Sequence, residues 1–184
     1  MLTLQLETHR LYTPAGSIPK LTTSSGADFI LDDELYHLPP NVRVNLNGSA
    51  LHESEEYWGG GAHEFNPRRW DRRNTKSFLA RNEGAEGLIF PGLEWNHIFK
   101  PVRGAYIPFS GATRPCIGRE FAQVEVVATL AVLFYKYRVT LTKLGNETDD
   151  DARNRATGAL DRSSTSITLS MTDQVPLIFH ERTF

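Results

Sequence analysis

The chain has 184 residues and a mass of 20.7 kDa, which fits one domain, and its 20 Lys and Arg against 22 Asp and Glu give a net charge of −2. This balance provides no overall basic surplus for binding nucleic acid, and an apolar content of 40% is too high for a disordered chain. No apolar run approaches the roughly 18 residues of a membrane span, and the opening MLTLQLETHR lacks the basic-then-apolar pattern of a signal peptide.

The first half of the chain gives mixed signals. A helix of one or two turns is predicted over residues 1–12, and residues 13–40, rich in Pro, Ser and Thr, are predicted to be irregular with a short strand at 29–31. Residues 42–46 alternate apolar and polar side chains, which is the period of a half-buried strand. Residues 58–74 contain three consecutive glycines and two tryptophans, which predicts an ordered loop, and residues 75–104 are loop-like.

The second half contains the strongest predicted element, a helix over residues 117–137. Its segment VVATLAVLFY (126–135) is apolar on nearly all sides, which predicts burial on most faces. Residues 145–165 are polar and charged and are predicted to form an exposed, mobile connection. The tail alternates at 166–169 and 176–179, which predicts a hairpin that closes the chain and an α+β fold overall.

The single cysteine, Cys116, lies directly before the predicted helix. A thiolate at a helix N-terminus is stabilised by the helix dipole and by unpaired backbone N–H groups. Arg114 adds a nearby cation, and Gly118 allows either close approach of a flat ligand to the backbone or a tight turn into the helix. One cysteine excludes an intrachain disulfide and any zinc site built from several cysteines. Taken alone, an isolated cysteine is more often a small buried apolar side chain.

The residues around Cys116 change that balance. The segment FSGATRPCIG (109–118) resembles the haem-binding signature of cytochromes P450, F-x-x-G-x-R-x-C-x-G, with Phe109, Arg114, Cys116 and Gly118 in place. Ala112 stands where the family has glycine, and its extra methyl disfavours a positive φ. This departure alters the turn below the haem only slightly.

Two further motifs follow the order in which the family has them. The sequence ETHR (7–10) resembles the E-x-x-R motif. One helical turn places Glu7 and Arg10 on one face, where they can form a charge-assisted pair. The sequence FNPRRW (65–70) resembles the P-E-R-[F/W] segment, with Arg68 in place of the usual Glu. Arg69 is then the third member of a Glu–Arg–Arg cluster that, by resemblance, locks the loop below the haem. Each motif alone is weak, but three in order are strong evidence of the resemblance. The resemblance covers essentially the whole chain and is to a fungal or at least eukaryotic type of the family.

The resemblance implies that residues 1–184 are the C-terminal part of the cytochrome P450 fold. Its expected elements are the end of the E-x-x-R helix, a small β-sheet, a meander loop, the cysteine loop, a long buried helix and a terminal β-hairpin. It also implies haem b (iron protoporphyrin IX), with Cys116 as the protein ligand of iron, Phe109 against the sulfur side of the ring and Arg114 on a propionate. Backbone N–H groups after Cys116 would bond the sulfur and tune the iron.

The activity implied is haem-thiolate monooxygenation, in which one oxygen atom from O2 enters a small organic substrate and an NADPH-dependent reductase supplies electrons. In the family an acid–Thr helix that activates oxygen and a membrane anchor precede the E-x-x-R helix, and both are expected to be absent here. Turnover by the isolated chain is therefore not expected. Residues 14–18 and 171–175 match regions that touch substrate, and the parent family is usually found in the endoplasmic-reticulum membrane of eukaryotes.

Other interpretations remain open. The competing class is a non-catalytic cytochrome P450-derived fragment or interaction module without haem, and a Cys–His hydrolase lacks any local protease signature around Cys116. Nucleic-acid binding by a basic cluster is disfavoured by the negative charge and by aromatic interleaving limited to Trp70; the cluster is Arg68, Arg69, Arg72 and Arg73. A second basic group is either a solvated rim or a face for an acidic electron donor; its members are Lys100, Arg103, Arg119 and Lys136.

Overall fold

The computed structural model describes residues 1–71, 98–99, 101–111, 114–165 and 168–183. It begins with helix α1 (Leu2–Leu11), whose ten residues make it longer than the one or two turns predicted. The helix buries both apolar and charged side chains, among them Leu6, Glu7 and Arg10. It therefore carries a polar cluster into the interior rather than only an apolar stripe.

Four strands follow, arranged as two separate antiparallel pairs. Strand β1 (Ser17–Leu21) pairs with β4 (Arg43–Asn47), while β2 (Ala27–Leu31) pairs with β3 (Glu34–Leu38). The β2–β3 turn places Asp32 and Asp33 at φ 51° and 62°.

The prediction of an irregular segment over residues 13–40 is therefore wrong, although the short strand predicted at 29–31 lies within β2. The β2–β3 hairpin is exposed on both faces, so its sequence has no reason to alternate between apolar and polar. Its Asp-Asp turn also differs from the usual Asn-Gly signal of a hairpin. The strand predicted at 42–46 is confirmed as β4, shifted by one residue.

Two short helices and an ordered loop connect β4 to the middle of the chain. Helix α2 (Gly48–His52) is capped by the side chain of Asn47, which accepts from the Ala50 N–H, and α3 (Glu55–Trp58) follows. A 3₁₀ turn covers Pro67–Trp70. The ordered loop predicted at 58–74 is confirmed as far as the structure describes it, and the predicted loop-like residues 72–97 and 100 lie outside the described residues.

Helix α4 (Arg119–Lys136) follows the cysteine loop and leads directly into β5 (Tyr137–Leu141). The helix is where the sequence predicts it, but the prediction that it is buried on most faces is wrong for this chain. None of its residues, all of which are described, is buried, and Phe121 and Tyr135 are 72% and 67% exposed. Among the described elements α4 packs mainly against α1 and β5, which cover only part of its apolar surface.

Helix α5 (Asp149–Asp161) occupies the segment predicted to be a mobile connection, and that prediction is wrong. Thr148 caps the helix, because its hydroxyl accepts from the Asp151 N–H while the Asp151 carboxylate accepts from the Thr148 N–H. Three aspartates in the first turn also complement the helix dipole. The helix buries only Ala152 and Ala159, so its composition resembles that of a polar linker.

Within their described residues, the two tail segments do not pair with each other as predicted. Strand β8 (Leu177–Glu181) pairs antiparallel with β5, and the short strands β6 (Ser164–Thr165) and β7 (Leu169–Ser170) pair together. The predicted closing hairpin is wrong in this respect. Strand β5 follows directly after α4 and offers an edge with which β8 pairs. Residues 166–167 lie outside the described residues.

The core consists largely of aromatic rings between α1 and the loops that precede the cysteine. The Trp70 and Tyr106 rings lie 4.9 Å apart, and Trp58 and Phe99 also contact Trp70. The Tyr106 hydroxyl donates to the Leu6 carbonyl at 3.1 Å. This core attaches the segment before the cysteine to α1. Among the helices described, none has the length and apolarity needed to cross a membrane.

Candidate functional site

A fully buried carboxylate lies at the centre of the polar cluster. The two Glu7 oxygens accept from Arg10 at 2.9 and 2.8 Å, from the Trp70 indole N–H at 2.8 Å and from the Asn66 backbone N–H at 2.9 Å. Burial acts to raise the pKa of Glu7, but the donors from Arg10 and Asn66 outweigh it and hold the pKa below its usual value. Glu7 is therefore an ionised group whose acceptors are satisfied.

Arg10 also uses its remaining N–H groups. It donates to the backbone carbonyls of His52 at 2.6 Å and Glu64 at 3.1 Å, and to that of Ala62. Its guanidinium lies 5.1 Å from the centre of the Trp58 ring. The side chains of Arg10 and Glu7 are both 0% exposed. Through these three carbonyls, the pair joins α1 to the end of α2 and to the loop that follows α3.

Arg69 is the third charged member of the cluster. Its Nε lies 3.4 Å from Glu7, while its other nitrogens donate to the carbonyls of Trp58 at 2.9 Å and Gly61 at 2.8 Å. The structure thus brings Glu7, Arg10 and Arg69 together. The arrangement closes the loop between α3 and the 3₁₀ turn, where glycines 59 and 61 adopt a φ of 75°.

The cysteine loop ends at the N-terminal end of α4. The Cys116 N–H donates to the Phe109 carbonyl at 2.8 Å, and the Arg119 N–H lies 3.4 Å from the Cys116 carbonyl. A Cβ built at Gly118 would lie 4.0 Å from the Cys116 sulfur. Cys116 is exposed, as is Arg114, so the thiol is open to a ligand. Ala112, with its predicted effect on the turn, lies outside the described residues.

His9 connects α1 to this loop. Its ring meets the Phe109 ring edge-on, with centres 5.0 Å apart. Burial lowers the pKa of His9, which favours the neutral imidazole. The half-buried Phe109 is therefore held from one side by α1 and attached to Cys116 through its own carbonyl.

Two residues that the motifs did not single out also contact the cysteine loop. His52 accepts from the Ile107 N–H at 2.9 Å, and Lys20 lies 3.4 Å from the Ser110 hydroxyl. His52 lies outside the three motifs, so the sequence offered no role for it. Lys20 lies on β1, which the sequence did not predict, so nothing in the sequence placed its ammonium group near residue 110.

Stability is expected to fall as the pH drops from about 6.5 to about 4, because burial and the nearby Arg10 charge lower the pKa of His52 from 6.5 to about 4. In this window the unfolded chain binds a proton at His52 that the folded chain does not. The contribution of His52 to the free energy of unfolding is therefore fully present above about pH 6.5 and is lost as the pH falls to about 4. The shift corresponds to about 3 kcal/mol. Urea unfolding across the window should show a weaker pH dependence in His52→Gln, and equal slopes in both proteins would contradict the prediction.

The chemistry of the donors limits which metal group could bind. Among the described residues no three or more His, Cys, Asp and Glu side chains lie together as a metal site. A lone thiolate cannot complete the coordination of a bare ion, but it suffices where a porphyrin provides four nitrogens. The exposed thiol of Cys116 therefore fits a haem, together with the nearby Phe109 ring and the cations Arg114 and Lys20. The described residues thus present one exposed cysteine at the start of a long helix, bonded through its N–H to Phe109.

Comparison with known proteins identifies the family. The family model described as Cytochrome P450 matches residues 6–168, and the chain belongs to the cytochrome P450 family. It is 34% identical over 171 residues to a cytochrome P450 monooxygenase of Arthrobotrys oligospora, with 92% of this chain and 29% of that protein covered. It is 31% identical over 137 residues to a cytokinin hydroxylase of Arabidopsis thaliana, with 74% and 21% covered. The chain thus spans less than a third of the length of these relatives.

Solved structures confirm the predicted fold class. One crystal structure of a cytochrome P450 is similar with a TM-score of 0.65 and 24% identity, over 99% of this chain and 32% of that chain. A cyanobacterial cytochrome P450 with bound retinoic acid is similar with a TM-score of 0.62 and 18% identity, over 98% and 32%. The mixture of helices and small sheets described above is therefore part of the cytochrome P450 fold.

Proposed function

We propose that this chain carries the cysteine-ligand portion of a haem-thiolate monooxygenase. The observation that carries the proposal is the exposed Cys116 thiol at the start of α4, in a loop that His9 of α1 and His52 of α2 contact. A merely structural cysteine would be expected inside the core. An open thiol supported by a rigid scaffold suits a residue that ligates a cofactor.

Five residues would hold haem b. Cys116 would ligate the iron, Phe109 would pack near the sulfur, and Gly118 would let the ring approach the backbone. Arg114 and Lys20 would pair with the propionates as the two cations of the loop region. When bound, the haem supplies the redox chemistry that lets O2 react with an organic molecule.

The chain's own groups place the thiol and its surroundings. Cys116 lies at the N-terminal end of α4, with Arg114 two residues before it. The buried cluster fixes the segment of residues 52–66 through bonds to its backbone. The resulting function is the binding and electronic tuning of a haem, which the thiolate performs by donating electron density.

The proposed substrate is a small organic molecule, and two segments of this chain would form an edge of its site. The Leu169 N–H donates to the Pro14 carbonyl at 2.8 Å, which brings the surroundings of residues 14–18 and 171–175 together. Electrons would come from an NADPH-dependent reductase, and Arg103, Arg119 and Lys136 provide a basic group for an acidic donor protein.

The test is to supply haem to the purified chain, reduce it and add CO. A thiolate-type red-shifted Soret band with about one haem per chain is expected, because one thiolate occupies one axial position. Absence of the band would favour the alternative of a fragment or interaction module without haem. Sustained NADPH-dependent product formation by residues 1–184 alone is not expected, because oxygen activation needs a water-excluded site and this chain covers only 32% of the matched cytochrome P450 structures.

A further inference from the structure

His52 lies where the buried cluster meets the cysteine loop. It is the last residue of α2, it is 0% exposed, and its ring packs against Tyr106 with centres 5.4 Å apart. Neither the family signature nor the Glu–Arg–Arg cluster includes it. A fully buried histidine outside both motifs needs a partner for each ring nitrogen.

Both nitrogens have one. The Ile107 N–H donates to Nε2 at 2.9 Å, so Nε2 must carry the lone pair. Nδ1 lies 3.1 Å from the Arg10 carbonyl, which can only accept, so Nδ1 must carry the proton. These two contacts require one neutral tautomer. Arg10 returns the contact, because its guanidinium donates to the His52 carbonyl at 2.6 Å.

We propose that His52 is a positioning residue that sets the place of the Cys116 thiol relative to α1, an inference that rests on the proposed function. The connection is short: His52 holds the Ile107 N–H, Phe109 follows two residues later, and the Phe109 carbonyl accepts from the Cys116 N–H at 2.8 Å. The opposite nitrogen is bonded to Arg10, whose side chain is fixed by Glu7.

Neighbouring contacts hold other parts of the same loop. The Tyr106 hydroxyl donates to Leu6, and the His9 ring meets Phe109. These contacts act on side chains, whereas His52 holds the backbone itself at residue 107. Loss of the His52 ring should therefore release the backbone of the loop while the aromatic packing keeps the chain folded.

The experiment compares His52→Leu with His52→Gln in the haem-loaded protein and uses His37→Leu as the matched control. Leucine removes both hydrogen bonds, and glutamine can still accept from the Ile107 N–H and donate to the Arg10 carbonyl. His37 is an exposed histidine of β3, where the same substitution leaves the cysteine loop unchanged. Two quantities are measured: amide hydrogen exchange over residues 101–111, and the fraction of the reduced CO complex with the thiolate-type Soret band.

In His52→Leu, exchange at residue 107 is expected to be at least about tenfold faster, because a half-buried N–H loses its acceptor. The thiolate-type fraction should fall by more than about half, while His52→Gln restores most of both signals and His37→Leu changes neither. Unchanged exchange and spectrum in His52→Leu, or equal losses in the Gln variant, would overturn the inference. If the wild-type chain shows no thiolate band, the proposed function fails, and the exchange arm then decides alone whether His52 positions the loop.

Discussion

Replacing Cys116 with alanine is expected to abolish the thiolate-type Soret band of the reduced CO complex completely. Cys116 is the only cysteine in the chain, so no other side chain can supply a thiolate. Its exposure means that the substitution removes little packing, and the free energy of unfolding should change by no more than about 0.5 kcal/mol. The variant therefore tests iron ligation by Cys116 without a change in the stability of the fold.

The matched variant for this experiment is Cys116→Ser, which keeps the shape of the side chain and replaces sulfur with oxygen. It should also lose the thiolate band, even if some haem still associates with the protein. Spectra are compared at equal haem and protein concentration, and urea unfolding reports whether each variant is folded. A thiolate band that persists in Cys116→Ala would refute the assignment of this residue as the iron ligand.

Arg69→Ala is expected to destabilise the protein by about 3–5 kcal/mol, because the backbone carbonyls of Trp58 and Gly61 each lose a charged donor and Glu7 loses a partner. The Arg69 side chain is 13% exposed and donates to two backbone carbonyls as well as to Glu7. Haem retention should be lost although Arg69 does not line the haem site. Urea unfolding and the haem content after gel filtration measure the two effects.

The neighbouring arginine provides the control. Arg68 is exposed and directly precedes Arg69, so Arg68→Ala removes the same charge from the same turn without breaking the buried network. Its effect on the free energy of unfolding should stay within about 0.5 kcal/mol. Equal stability losses in the two variants, or normal haem retention by Arg69→Ala, would show that the cluster does not hold the loop.

The sequence was sufficient for the features that depend on short motifs. Glu7 and Arg10 are one helical turn apart, and residues 65–70 and 109–118 each carry several specified side chains within a few positions. The long helix after Cys116 was also predictable, because its apolar run exceeds the length of any strand. These signals are local, and their order along the chain indicated the family.

What the sequence could not reveal depends on contacts between distant segments or on exposed elements. His52 meets residue 107, and Lys20 meets Ser110, over separations that carry no periodic signal. The β2–β3 hairpin and α5 bury little, so their patterns resemble those of loops. The burial of α4 was predicted from composition alone, but exposure is decided by which elements pack against the helix.

The bonds from Arg10 to the carbonyls of residues 52, 62 and 64 have a consequence for how the molecule opens. Helix α1 cannot unwind past Arg10 without breaking all three attachments and exposing Glu7. Helix α1 and the loop that it binds therefore form one cooperative unfolding unit. The exposed β2–β3 hairpin lies outside that unit and can open separately. It should therefore tolerate substitutions well, although it lies between α1 and the bound loop, which should tolerate few.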